Sequence, residues 1–195
     1  MSDGDPQAEI MWQGKYIRAI RQGQWEYASR TPGISAVVIY AEVDGKVLLI
    51  EQFRVPIGKR CIELPAGLVG DEDKDATVLE TAAKELREET GYEADRFEVV
   101  GDFYASPGMI AECFTLVRAS GLTKVSSGGG NAEEDISVHL VPRTEIRDFI
   151  ARERAEGAAV DVKILALADC VTAGHVRHPS SVVCRSAAVV RLCGR

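Results

Sequence analysis

The sequence predicts an α+β domain built on a mixed sheet, and three observations carry that prediction. Strand-like runs of β-branched and aromatic residues stand both before and after one central helical segment. An Asp-Gly step, Asp44-Gly45, joins two of those runs in the way a hairpin turn requires. The helical segment carries its own punctuation, with Thr77 and Glu80 at capping-box spacing and Gly91 where a helix stops.

Taken in order, residues 1–9 are acidic and polar and are expected to form a disordered lead. Residues 10–32 predict a small β-meander, because Gly14 and Gly23 separate β-prone stretches and Thr31-Pro32-Gly33 closes them. The main domain is expected over 33–174. It opens with strands at 35–42 and 46–53 and a short strand at 61–64 that runs into the turn Pro65-Ala66-Gly67. An acidic loop over 68–76 leads to a helix over 77–90, for which Asp75 is a rival N-cap to Thr77. Strands are expected again at 97–103, 113–118 and 136–141, with a Gly-rich acidic loop over 119–135. Helical stretches over 144–156 and 162–173 close the domain, and a tail, 175–195, follows. In that tail His175, His178 and Cys184 fit no zinc spacing.

Composition narrows the function. With 195 residues, 46% hydrophobic and 27% charged, the chain can bury a core without disulfides or a structural metal. A net charge of −7 argues against a nucleic-acid binder, which wants a basic face. The five cysteines (Cys61, Cys113, Cys170, Cys184 and Cys193) are odd in number and form no C-x-x-C pair, so reduced thiols are expected. The N-terminus has no apolar core of signal-peptide length, and no run of about 18 apolar residues occurs. The expected location is cytoplasmic, with no membrane partner.

The segment with most chemistry is Gly67 to Tyr92. On a helix, Glu85, Glu88 and Glu89 stand at i, i+3 and i+4 and share one side. A solvated surface stripe would explain such acids, but Val78, Leu79, Ala82, Ala83 and Leu86 form an apolar stripe beside them. The acids therefore border the core edge, and the backbone of Pro65-Ala66-Gly67 can approach the same point. Hard oxygen ligands of this kind suit Mg²⁺, which binds through few carboxylates, waters and substrate phosphates.

This segment resembles the Nudix box, G-x5-E-x7-R-E-U-x-E-E-x-G-U, through Gly67 and Glu85-Leu86-Arg87-Glu88-Glu89-Thr90-Gly91-Tyr92. It departs from the pattern at Lys84, which stands where the family has Arg. Sixteen residues separate Gly67 from Lys84, three more than in the pattern. Ala76 or Asp73 then falls at the box's first Glu, depending on the direction of counting, and the expectation is that the family's Glu–Arg pair is lost. The resemblance extends from about Trp25 to Asp169. Leu49 to Arg54, Glu63 to Gly67, Ser106-Pro107-Gly108, Glu112 and Glu133-Glu134-Asp135 are similar to the ADP-ribose pyrophosphatase branch.

What the resemblance implies is a Nudix α/β/α sandwich around a mixed sheet that hydrolyses ADP-ribose to AMP and ribose 5-phosphate. It implies Mg²⁺, with Mn²⁺ as a substitute, on Glu85, Glu88, Glu89 and the Ala66 carbonyl. Glu134 is the implied general base, with Glu133 its rival and Glu88 a second catalytic acid. Arg54 is a phosphate clamp or a surface ion pair, and Glu112 a metal or phosphate ligand or an exposed acid. Trp25, Glu26 and Arg30 resemble an adenine site, which in that branch goes with a homodimer paired through the N-terminal meander. Gly128-Gly129-Gly130 and Lys84 also resemble the GDP-mannose pyrophosphatase branch. A silent nucleotide-binding Nudix domain is the reading from a different class.

Overall fold

The N-terminal stretch folds as its turn residues predict. In the computed structural model, which describes residues 7–31, 34–130 and 134–165, β1 (Glu9–Gln13), β2 (Ile17–Gln22) and β3 (Trp25–Arg30) form an antiparallel three-stranded sheet. Glu9, assigned from sequence to the lead, already pairs with Arg21.

The larger sheet grows from the Asp44-Gly45 hairpin. Its strands β4 (Ser35–Val43) and β5 (Lys46–Arg54) pair only at the mouth, Glu42 with Val47 and Val43 with Lys46, and then part. Each recruits its own neighbours. After β6 (Lys59–Glu63) and β7 (Ala66–Val69) come helix α1 (Val78–Glu85), β8 (Tyr92–Tyr104) and β9 (Cys113–Lys124). The chain continues through β10 (Ser137–Pro142), α2 (Ile146–Ala155) and β11 (Ala159–Val160). Strand β4 pairs antiparallel with β7 and parallel with β9, which pairs antiparallel with β8. Strand β5 lies antiparallel between β10 and β6, and β11 adds to β6 in parallel. The sheet is mixed, as expected.

Because side chains alternate across a strand, β4 serves two cores at once. Val38 and Tyr40 pack with Leu49, Ile62, Leu116 and the Phe149 face of α2. Val37, Ile39 and Ala41 pack with Leu48, Val117 and the Ala82 and Leu86 face of α1. One helix therefore covers each side, which is the sandwich the resemblance implies. Of the helix residues expected to face inward, Leu79 does not, being 39% exposed.

The structure differs from expectation where pairing overrides local pattern. Residues 66–69 were expected as turn and loop but form β7, since β4 offers Ala36 to Val38 as partners. Strands β8 and β9 run well past 97–103 and 113–118, because Tyr92 to Ala94 pair with Leu122 to Lys124. Residues 119–124 of the expected 119–135 loop are thus ladder. A 3₁₀ turn, Arg143–Glu145, takes the first residues expected of the 144–156 helix. A helical turn starts at Lys163; the rest of the 162–173 stretch and the tail lie outside the described residues. Among those described, no helix is long and apolar enough to cross a membrane.

Thr77, not Asp75, caps α1. Its hydroxyl accepts from Glu80 N–H at 3.3 Å while the Glu80 carboxylate accepts from Thr77 N–H at 2.8 Å. Thr77→Ala should lower unfolding free energy by about 1 kcal/mol, read by urea denaturation. A change within error would show that the cap does not hold this helix start.

Candidate active site

The acids sit where α1 changes its winding. After Glu85 the helix widens into a π turn, Leu86–Thr90, a form frequent at functional sites. Leu86 and Thr90 are fully buried, the Thr90 hydroxyl donates to the Leu86 carbonyl, and Gly91 N–H closes the end on Arg87 O at 2.9 Å. The three acids thus leave the core edge across a turn wider than the α-helix assumed from spacing.

Glu89 is 3% exposed, and its carboxylate accepts from Ala66 N–H at 3.0 Å. Half-buried Glu85 lies over Gly67, where a Cβ would overlap its side chain unless that side chain moved. The Pro65-Ala66-Gly67 backbone and two of the three helix acids therefore meet at one place.

Their electrostatics are strained. Burial, opposed by Lys84 and reinforced by Glu88, Glu134 and Glu72, pushes the Glu85 carboxyl up to about 7. Burial also holds the Glu89 carboxyl well above the carboxylate range, with the Ala66 N–H opposing and Glu85 and Glu134 adding. Both acids feel the charge of exposed Glu134, which therefore lies within electrostatic reach of them. Glu88 is the outlier, exposed and 3.7 Å from the Lys84 ammonium. Glu133 lies outside the described residues.

Such a site fits a divalent cation. Two carboxylates forced together at a desolvated edge repel each other, and a hard cation relieves both the repulsion and the lost hydration. Among the described residues no three Asp, Glu, His or Cys side chains stand close enough together to hold a metal ion by themselves. Two acids, Glu85 and Glu89, converge on the Ala66-Gly67 backbone, and Glu88 stands outside them, so any cation there would need water or phosphate oxygens to complete its coordination.

Arg54 grips Glu63 with two bonds, Nε to Oε1 at 2.6 Å and a terminal nitrogen to Oε2 at 2.7 Å. Glu63 is buried, the Arg54 side chain is 42% exposed, and its charge reaches Glu89. Arg54 is thus ion-paired, to a buried acid beside the site. Arg30 and Glu112 pair with each other, Nε to Oε1 at 2.5 Å. Ala28 N–H to Met109 O at 3.0 Å and Ala111 N–H to Ala28 O at 2.8 Å run beside them and tie β3 to the approach to β9. Trp25, 64% exposed, and Glu26, paired across the strand with Arg21 at 3.2 Å, stand on the small sheet, apart from the helix acids.

Two features escaped sequence reasoning. The expected loss of the box's structural ion pair is corrected: Lys84 pairs with Glu72, because the longer loop brings that acid, and neither Asp73 nor Ala76, opposite it. The signal was present as a basic residue and an acid one position away from where counting put it. The triglycine run also has a backbone task. Gly129 N–H bonds Glu89 O at 2.9 Å and Gly130 N–H bonds Glu88 O at 3.0 Å, satisfying carbonyls that a helix end leaves open. Gly128 has φ +70, and a Cβ there would stand 2.7 Å from Gly91 N.

Comparison with known proteins places the chain in a family. The NUDIX domain model matches residues 30–168. Over 127 residues the chain is 37% identical to a methanol dehydrogenase activator of Bacillus methanolicus, covering 64% of this chain and 66% of that one, just under two thirds. It is 33% identical to an ADP-ribose pyrophosphatase of Mycobacterium tuberculosis, covering 71% and 67%. It is 32% identical to a GDP-mannose pyrophosphatase of Cronobacter sakazakii, covering 68% and 70%. A solved ADP compounds hydrolase shares the fold at a TM-score of 0.59 and 20% identity, over 80% of this chain and 97% of that one. With the family model matching residues 30–168, most of its length, the chain belongs to the Nudix hydrolase family.

Proposed function

We propose that this chain is a Mg²⁺-dependent pyrophosphohydrolase of nucleoside diphosphate sugars that prefers ADP-ribose and releases AMP and ribose 5-phosphate. The observation that carries the reading is the meeting of Glu85 and Glu89 at the Ala66-Gly67 backbone, within electrostatic reach of Glu134. Glu85, Glu89, the Ala66 carbonyl and the exposed Glu88 are the groups that would hold the cation, Mg²⁺ or Mn²⁺ in its place. The chemistry it would supply is neutralisation of charge on the diphosphate. Glu134 accepts the proton of the attacking water, and the exposed Glu88 is the second acid placed to exchange protons. Arg54, held by Glu63, lends positive charge to the phosphates.

The nucleobase site is assigned to Trp25, Glu26 and Arg30, with Glu112 fixing Arg30. Trp25 offers a free indole face for stacking. The small sheet also exposes Ile10 (50%), Trp12 (57%) and Ile17 (45%), which supports pairing of two copies through it. A homodimer would carry each nucleobase site toward its partner's chemistry. GDP-mannose remains the second reading, supported by the relatives of that name. The triglycine run no longer favours it, because backbone packing accounts for those residues, while Trp25-Glu26 still argues for adenine. A cytoplasmic setting is in keeping with Cys61, a buried thiol without a disulfide.

Given a panel of nucleoside diphosphate sugars with Mg²⁺, ADP-ribose should react fastest and yield AMP. Faster GMP formation from GDP-mannose would move the assignment, and inorganic phosphate without a nucleoside monophosphate would end the diphosphatase reading. Glu134→Gln should lower kcat by about 10²–10⁴-fold with KM nearly unchanged, and Glu133→Gln much less. Equal losses would mean a field effect without a unique base.

The site also makes stability depend on pH. The Glu85 carboxyl sits near 7 in the fold, against 4.5 as its ordinary value. A raised carboxyl favours folding while protonated, so this contribution is complete below about pH 4.5 and is lost as pH rises through about 7. In metal-free buffer, Glu85→Gln should therefore gain Tm relative to wild type on going from about pH 5 to about pH 8. A Tm difference independent of pH would show that Glu85 is not under this stress.

A further inference from the structure

Arg60, on β6, has no place in the chemistry described above, yet its guanidinium is more fully engaged than any other among the described residues. Nε donates to Glu51 Oε1 at 2.9 Å, one terminal nitrogen donates to Asp135 Oδ2 at 2.8 Å, and the other to Asp135 O at 3.2 Å, Glu51 O at 3.1 Å and Ser137 Oγ at 3.3 Å. The second Glu51 oxygen meets His139 Nε2 at 3.3 Å, and the His139 ring lies against Phe149, so the acid that orients Arg60 is itself fixed.

The position of these contacts along the chain is what matters. Asp135 directly follows Glu134. On the other side of Glu134, Gly129 and Gly130 are bonded to the carbonyls of Glu89 and Glu88. Glu134 is thus flanked by one tie to the acid-bearing turn and one to the sheet. A planar guanidinium that grips both the side chain and the carbonyl of the next residue fixes that residue's orientation as well as its distance. An ion pair whose acid is 89% exposed adds little stability, so geometry is what it supplies.

We propose that Arg60 is a positioning residue that sets Glu134 against the Glu85–Glu89 edge by holding Asp135. This rests on Glu134 being the base. A merely structural Arg60 would pin β5, β6 and β10 together and affect every property of the fold alike.

The test is a double-mutant cycle on the full chain with ADP-ribose and Mg²⁺, measuring kcat, KM and Tm for Arg60→Gln, Glu134→Gln and both together. Arg60→Gln should lower kcat about 10- to 100-fold, the scale of a small misplacement of a reacting group, with KM within about twofold. In the Glu134→Gln background the same change should cost nothing further, because the group it positions is gone. Losses that multiply, or a wild-type kcat in Arg60→Gln, would overturn the proposal while leaving the base assignment standing. A wild-type kcat in Glu134→Gln would overturn both. If Arg60→Gln does not fold, Asp135→Asn carries the same cycle from a solvent-exposed side chain. It should show a smaller kcat loss that likewise vanishes without Glu134, and a loss that persists there would equally overturn the proposal.

Discussion

The structure turns on one buried acid. Glu89 is almost wholly removed from water, its carboxylate is held by the Ala66 N–H, and its own carbonyl is held by the Gly129 N–H. A single residue thereby joins the start of β7, the last turn of α1 and the chain after β9. Burying a carboxyl costs several kcal/mol unless it is bonded or neutralised. Here the Ala66 N–H and the Arg54 charge offset part of that cost, and Glu85 and Glu134 add to it. The site stores an unmet demand for positive charge.

The sheet makes this arrangement possible. By parting from β5 beyond the hairpin, β4 is free to take β7 on one edge and β9 on the other. Ile39 N–H also bonds Pro65 O at 2.8 Å, fixing the chain where it enters the site. Leu86 and Ala82 anchor α1 over that same strand, so the acids cannot move away from the Ala66-Gly67 backbone without disrupting the core. On the other half-sheet, Arg54 and Glu63 lock β5 to β6 with a bidentate pair beside Glu89. The site is therefore assembled from rigid elements, as accurate placement of reacting groups requires.

The parts legible in the sequence are those set by local chemistry. Asp44-Gly45 marks a hairpin because few other dipeptides accept that turn, and Thr77 with Glu80 marks a helix start because the two side chains satisfy each other's backbone donors. The acid side of the helix followed from spacing, although the π turn could not, since it depends on how Leu86 and Thr90 pack. The remaining differences are long-range. Residues 66–69 carry no strong strand signal and become β7 only because β4 has an open edge. Ser120 to Lys124 lack clean alternation and extend β9 only because β8 runs alongside. The Lys84–Glu72 pair, 12 positions apart, lay one position from where counting along the box put its acid. The Arg60–Asp135 tie, by contrast, joins residues 75 positions apart, and no local pattern in one sequence points to that partner.

The claim beneath the whole account is that the buried acid at this junction serves a cation. Manganese binding followed by electron paramagnetic resonance, in the presence of a non-hydrolysable ADP-ribose analogue, tests it without relying on turnover. The wild-type chain should bind Mn²⁺, and Glu89→Gln, which keeps the shape but removes the charge, should weaken that binding by at least about tenfold. Equal Mn²⁺ affinity in the two proteins, with both folded, would contradict the account and leave Glu89 as a purely structural acid.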